Sequence, residues 1–511
     1  MIPTSLPVDS TAAAEQALLR HPGVSAATVF THGDRLLALV VPAEAWLDES
    51  LDRRAAAAAA LRKWQKTYDL NQSSKAAAAA PPGFNTIGWD SSYTRGPLPV
   101  DDMREWVRTS VDSILRLGAH SIYEIGCGTG MLLLRIAPLC ERYVAVDFSH
   151  EVLARVREQL QSMPAVAARV ELMERPADNF AGLEPRSFDA VVINSAVQYF
   201  PNAEYLAQVL ENAIGLVGDG GHVFIGDVRS LPLLPAFAAS VELFQAADDL
   251  PMEELRGRIR RRLRHAPELV LSPAWFLALG HRLARVAHVA IALRRGRGDN
   301  EMTRYRYDAI FRVGPARPPA AITLEPASAD PITQIRHRLQ GSGEAFGIGG
   351  IPNARIEKDR IAHAAIAAAD PGTTAGQLRH QIEEVSLHGV HPQDLFDLEA
   401  VHPGLQVHLS WAAARSDGSY DALLVPGDAE PDAAFALPEP RPSAFLHTAS
   451  TPGQAAVRTV LVERLLDHCR EHLPQSAVPD GIVLVDAIPA SLDAAAAWAE
   501  LPGVEGELPV A

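Results

Sequence analysis

The run "YEIGCGTGMLLLRIAPLCERYVAVDFS", residues 123 to 149, constrains this chain most. An apolar strand enters a turn carrying Gly126, Gly128 and Gly130, a helical stretch follows, and a second apolar strand ends at Asp147. Such a unit gathers backbone N–H groups and a helix start at one point, and glycine lets a ligand approach the backbone closely. A dinucleotide fingerprint is excluded by spacing: counting from Gly126, its third glycine falls at position 131, which is Met131. The spacing present is E-x-G-x-G-x-G, from Glu124 to Gly130, and Asp147 closes the next strand 21 residues after Gly126.

The alternation continues on both sides. Strands are expected at 121–126, 143–147, 169–174, 188–195 and 221–228, with a later pair near 286–296 and 303–313, interleaved with helices. That pattern predicts a layered α/β domain with a mostly parallel sheet. A chain of 511 residues exceeds one ordinary core, so further domains are expected. Residues 15–42 read as a short helix and a hairpin, 53–69 as a helix, and 73–83 as an exposed alanine- and proline-rich connector. A proline-rich break at 314–331 precedes helices and strands up to about 430, and 446–511 holds an amphipathic helix and one apolar strand.

A formal charge of −16 argues against binding nucleic acid, which is gripped by clustered cations. The local exception is "RGRIRRRLRH" at 256–265, read as a solvated helix face or, less favoured, a docking surface for an acidic partner. Cys127, Cys140 and Cys469 fit neither a zinc site nor a disulfide framework, and no metal is expected. Without a signal-like N-terminus or a run of about 18 apolar residues, the expectation is a cytoplasmic protein that does not enter a membrane.

The glycine spacing resembles the nucleotide loop of class I S-adenosylmethionine-dependent methyltransferases. This resemblance implies a Rossmann-like fold with S-adenosylmethionine as cofactor. On that resemblance the loop residues Glu124, Gly126, Cys127, Gly128 and Gly130 would meet its methionine and ribose portions, Asp147 the ribose hydroxyls and Asp178 the adenine, with Phe148 and Asn179 as further cofactor-binding candidates. Glu124 taken alone also reads as a turn cap, and Asp178 as the N-cap of a following helix.

Four longer stretches are more specific: "FNTIGWDSSYTRGPLPVDDMREWV" (84–107), "VVINSAVQYFP" (191–201), "GDVRSLPLL" (226–234) and "NEMTRYRYDAIFRV" (300–313). With "GIPNARI" (350–356) and "LSWAAARSDGSYDALL" (409–424), they resemble the N-methyltransferase domains embedded in nonribosomal peptide synthetases. The flanks 18–42 and 468–493 are similar to the two halves of an adenylation C-terminal subdomain. The lysine that family carries after its "DAIP"-like strand is missing from "SLDAAAAWAELPG". The implied organisation is an adenylation-like half at 1–52, a methyltransferase core with an N-terminal lid at 53–313, an α/β extension at 314–430 and the second, degenerate half at 446–511.

The implied activity is N-methylation of an aminoacyl or peptidyl group on a carrier protein, by a free-standing enzyme without adenylation activity. O- or C-methylation, methylation of a free amine, and a noncatalytic role beside a synthetase are the alternatives. Asn194, Gln198 and Tyr199 after the fourth strand, and Asp227 and Arg229 after the fifth, are the candidate catalytic residues; Asn194 also reaches the cofactor. Trp89, Asp90, Ser91 and Tyr93 are the expected lid. Each has a structural alternative: Trp89 and Tyr93 as packing, Asn194 and Ser195 as strand terminators, Asp227 and Arg229 as a mutual ion pair, and His150 as a surface residue.

Overall fold

The computed structural model describes residues 9–32, 35–43, 53–72, 81–264, 266–315, 320–341, 343–427, 433–435, 448–450, 453–485 and 488. The connector expected at 73–83 lies outside these residues up to position 80, and so does the "SLDAAAAWAELPG" stretch. The chain divides into two compact units, residues 1–60 with 452–511, and residues 61–451.

In the first unit, helix α1 (Asp9–Arg20) precedes a hairpin of β1 (Val24–His32) and β2 (Arg35–Pro42). The other end of the chain returns a helix at Gly453–His472 and a strand at Gly481–Leu484, which runs parallel to β2. The middle of β2 is buried because it lies between two strands, and Leu18, Leu36, Val40, Leu461 and Leu465 pack together. The Leu36 N–H donates to Asp480 Oδ2 at 2.7 Å, joining residues distant in sequence.

The second unit begins within helix α2 (Arg53–Gln72), followed by α3 (Val100–Leu115). Then come β3 (Ser121–Ile125), β4 (Arg142–Asp147), α4 (His150–Gln161), β5 (Val170–Glu174), β6 (Phe188–Asn194), α5 (Ala203–Leu216) and β7 (Val217–Arg229). Helices α6 (Leu234–Gln245), α7 (Met252–Arg264) and α8 (Pro273–Arg282) lead to β8 (Val286–Leu293) and β9 (Arg306–Val313). The sheet order is β5-β4-β3-β6-β7-β9-β8, parallel except for β9, which is antiparallel to both neighbours.

This is a Rossmann-like α/β fold. The middles of strands β4 and β6 are apolar on successive residues because both faces of the sheet are covered. Trp106, Val107, Leu133 and Phe224 pack on the α3 face; Val144, Val191, Leu210 and Trp275 pack on the other. The chain leaves β3 toward β4 on one side, and β6 flanks β3 on the other, so a crevice opens beyond the carboxyl ends of these strands.

Beyond β9, the stretch expected as a break contains short strands at Ala320–Ile322 and Leu324–Pro326. The second of these joins a four-stranded sheet with strands at Phe346–Ile351, Gln406–Ser410 and Tyr420–Val425. Among the described residues, no helix is long and apolar enough to cross a membrane.

Candidate active site

The crevice is built around the turn after β3. Gly126 and Gly128 sit at φ +74° and +51°, the left-handed region that side chains with a Cβ rarely adopt. The N–H groups of Gly126 and Cys127 both donate to the Val146 carbonyl, at 2.8 and 3.1 Å, and this ties the turn to β4. A Cβ on Gly126 would lie 3.0 Å from Ala196 Cβ, and one on Gly128 3.0 Å from the Tyr68 hydroxyl.

Asp147, at the end of β4, lies against this turn. Its Oδ2 accepts the Gly128 N–H at 3.0 Å and its Oδ1 the Ser149 N–H at 2.9 Å. Burial pushes its carboxyl up to about 6, and the backbone donors oppose that shift. Glu124, on β3, is buried too and accepts the Tyr143 hydroxyl at 2.9 Å. Burial pushes it to about 7, against the Tyr143 bond and with reinforcement from the Asp147 charge. It is therefore a buried carboxyl within the sheet rather than a turn cap.

Helix α2 lies over the turn. Gln65 Nε2 donates to the Phe148 carbonyl at 3.0 Å, Asp69 Oδ1 accepts the Ser149 hydroxyl at 2.5 Å, and Arg155 bonds the Gln72 carbonyl. The Tyr68 ring meets Phe148 edge-on, and the rings of Trp64 and Tyr199 stand 4.7 Å apart. Between helix and sheet lies a cavity of about 590 Å³ walled by Trp64, Tyr68, Trp89, Trp106, Phe148 and Tyr199, with Glu124, Asp147, Glu174 and Glu268 among its polar groups.

Of the residues singled out from sequence, Trp89, Glu124, Gly126, Cys127, Gly128, Asp147, Phe148, Asn194 and Tyr199 line this cavity. Asn194 is buried where β6 ends, with its Oδ1 unpartnered against Gly226, where a Cβ would lie 2.1 Å away. Others lie off the cavity wall. Gly130 packs on Val156. Tyr93 turns its hydroxyl to Ser240 at 2.8 Å and its ring to Phe237 and Phe244, so it packs instead of covering the cavity. Gln198 donates to the carbonyl and hydroxyl of Ser195, bracing a residue at φ +52°.

Asp178 lies beside Tyr205, a cavity residue, and Asn179 closes a turn by accepting the Ala181 N–H at 3.1 Å. No helix follows them, so Asp178 is not an N-cap. The mutual pair considered as an alternative for Asp227 and Arg229 does not form. Arg229 pairs with Glu268, while Asp227, fully buried, pairs with Arg306. Burial, then the nearby Arg306 charge, holds the Arg229 guanidinium down to about 10. His150 begins α4 and bonds Glu174 at 2.9 Å on the surface.

The residues missed from sequence are Trp64 and Tyr68 on α2, Trp106 on α3, and Glu268. The one signal for the first two was their four-residue spacing, which puts both on one helix face.

Residues 123–223 match the family described as methyltransferase domain. Chondramide synthase cmdD of Chondromyces crocatus is 36% identical over 93% of this chain and 12% of its own length. A probable non-canonical nonribosomal peptide synthetase, CymA of Salinispora arenicola, is 32% identical over 93% of this chain and 6% of its own. Peramine synthetase A of Epichloe festucae is 29% identical over 80% of this chain and 16% of its own.

The chain carries a methyltransferase domain and is similar along most of its length to nonribosomal peptide synthetases. It spans only a small part of the relatives it matches. The cofactor of this methyltransferase is S-adenosylmethionine, and the cavity suits it. Ring faces and carboxylates receive a cation, a glycine turn admits close approach, and each Asp147 oxygen keeps a lone pair beyond its backbone donor.

Proposed function

We propose that this methyltransferase acts on the amine nitrogen of an aminoacyl or peptidyl group tethered to a carrier protein in peptide biosynthesis. One observation carries the reading. The cavity that joins the glycine turn and Asp147 also reaches Asn194, Tyr199 and Trp64, so donor and acceptor fit side by side at the carboxyl rim. Likeness to synthetases over 93% of the chain supports the tethered substrate.

S-adenosylmethionine supplies an electrophilic methyl group on a sulfonium. The chain's contribution is to hold and orient. Asp147 would accept the ribose hydroxyls, the backbone at 126–128 would meet the methionine and ribose portions, and Asp178 and Asn179, beside Tyr205, would read the adenine. Asn194 orients the acceptor, and the Tyr199 and Trp64 rings stabilise positive charge as it moves to nitrogen. An α-amine has an ordinary pKa of about 7.7 to 8.0, so a neutral fraction exists near pH 7 and alignment contributes more than a strong base.

In this reading, residues 53–313 are the core, 314–430 its extension, and 1–52 with 446–511 a subdomain derived from an adenylation domain. The strand at Gly481–Leu484 beside β2 supports that last assignment. The test is to incubate the protein with labelled S-adenosylmethionine and panels of free and carrier-loaded amino acids, then locate the label by fragmentation. Label on nitrogen of a loaded amino acid is expected; label on oxygen or carbon overturns the proposal.

A further inference from the structure

Strand β7 pairs regularly with β9 as far as Ile225, opposite Ala309, and the next paired residue is Val228, opposite Tyr307. Phe224 packs on the α3 face of the sheet, whereas Ile225 and Val228 pack on the other. Strict alternation would place residue 227 on the face of Ile225. The bulge instead turns Asp227, at φ +65°, toward α3, where its Oδ1 accepts the Trp106 Nε1–H at 3.1 Å. Bulges near active sites re-aim side chains, and a left-handed residue other than glycine persists only where its surroundings over-determine it.

The groups bonded to Asp227 are charged or polar. Arg306 donates to Asp227 Oδ2, and Arg294 stands 3.7 Å from Oδ1. The Asp227 N–H donates to Asp308 Oδ1 at 2.9 Å. Arg294 continues the network to Asp308 at 3.0 Å and to the Ser110 hydroxyl at 2.8 Å. Of the described residues that these side-chain bonds join to Asp227, Trp106 alone lines the cavity, and it meets Trp89, another wall residue, edge-on at 4.5 Å.

We propose that Asp227 is a positioning residue that acts through Trp106: by accepting the indole N–H, it fixes the ring that walls the cofactor cavity together with Trp89. This rests on the cavity being the S-adenosylmethionine site. Asp227 is not among the residues lining the cavity, and the bulge, the left-handed backbone and the paired arginines hold one acceptor in place for one indole.

A double-mutant cycle tests this, read by calorimetric titration of S-adenosylhomocysteine and by thermal midpoints. Asp227→Asn leaves one acceptor oxygen, for which Arg306 competes with the indole; Trp106→Phe keeps a ring and removes the N–H. Each is expected to weaken binding about tenfold, and the double variant no more than either alone, because the second change acts on a bond already lost. Losses that multiply to about a hundredfold overturn the proposal, since a purely structural Asp227 would act independently of the indole. If Asp227→Asn does not fold, Trp106→Phe decides: a tenfold loss at a parent-like midpoint sustains the proposal and parent affinity overturns it. A parent protein that does not bind S-adenosylhomocysteine ends the cofactor-site assumption itself, whatever the variants do.

Discussion

The Tyr68 hydroxyl occupies the space that a side chain on Gly128 would need, since a Cβ there would lie 3.0 Å from Oη. A helix from the start of the second unit and a turn 60 positions later thus close on each other. Gly128→Ala meets two penalties, a left-handed φ of +51° and this contact. The backbone term alone is about 1 to 2 kcal/mol. Affinity for S-adenosylhomocysteine, measured by calorimetry, is expected to fall about tenfold or more. Adding Tyr68→Phe should restore part of it by clearing the contact but not the backbone strain.

Asp147 gives cofactor binding a pH dependence of known sign. Burial raises its carboxyl to about 6, so the charged form, the better acceptor for ribose hydroxyls, is dominant above that pH and lost below it. Affinity is expected to hold from pH 7 to 8 and to fall toward pH 5. Asp147→Asn removes charge-assisted bonds of roughly 1.5 to 3 kcal/mol, which at pH 8 corresponds to an affinity lower by roughly tenfold to a hundredfold. Its profile across pH 6 should flatten.

Glu124 should appear in stability instead. Its folded carboxyl titrates at about 7, above the ordinary range, so its contribution is complete below the unfolded pKa and is lost as pH rises through about 7. The ligand-free parent is expected to lose on the order of 3 kcal/mol between pH 4.5 and pH 8 from this group. Glu124→Gln keeps a buried polar side chain without the charge. Urea melts at pH 5 and pH 8 should show the variant gaining on the parent at the higher pH; a constant difference would count against burial as the cause.

The strand, turn and second strand from 121 to 147 were legible because positive-φ glycines and two-sided apolar strands both leave local marks. What covers the turn was not. Trp64 and Tyr68 share a helix face, but that spacing describes any packed stripe, and only the tertiary fold puts Phe148 and Gly128 opposite them. Of the residues expected in the lid, Trp89 lines the cavity, whereas Tyr93 is drawn away by Ser240, some 147 positions on. Asp227 looked like a strand-end residue beside the chemistry. Its register depends on β9, whose pairing partner for the bulge begins about 80 residues later, and no local pattern encodes that slip.

Tyr199 is 37% exposed although it lines the cavity beside Trp64, so part of the residue remains accessible to an incoming acceptor. A ring over a developing ammonium is worth roughly 0.5 to 2 kcal/mol, and the pair with Trp64 holds it in place. Tyr199→Ala is therefore expected to lower kcat/KM for an amine acceptor about tenfold, chiefly through kcat, while leaving S-adenosylhomocysteine affinity within about twofold, a split that separates acceptor from cofactor contacts. Tyr199→Phe, which keeps the ring and loses the hydroxyl, should behave like the parent. If phenylalanine proves as damaging as alanine, the hydroxyl and not the π face carries the contribution, and the charge-stabilising role assigned to this ring fails.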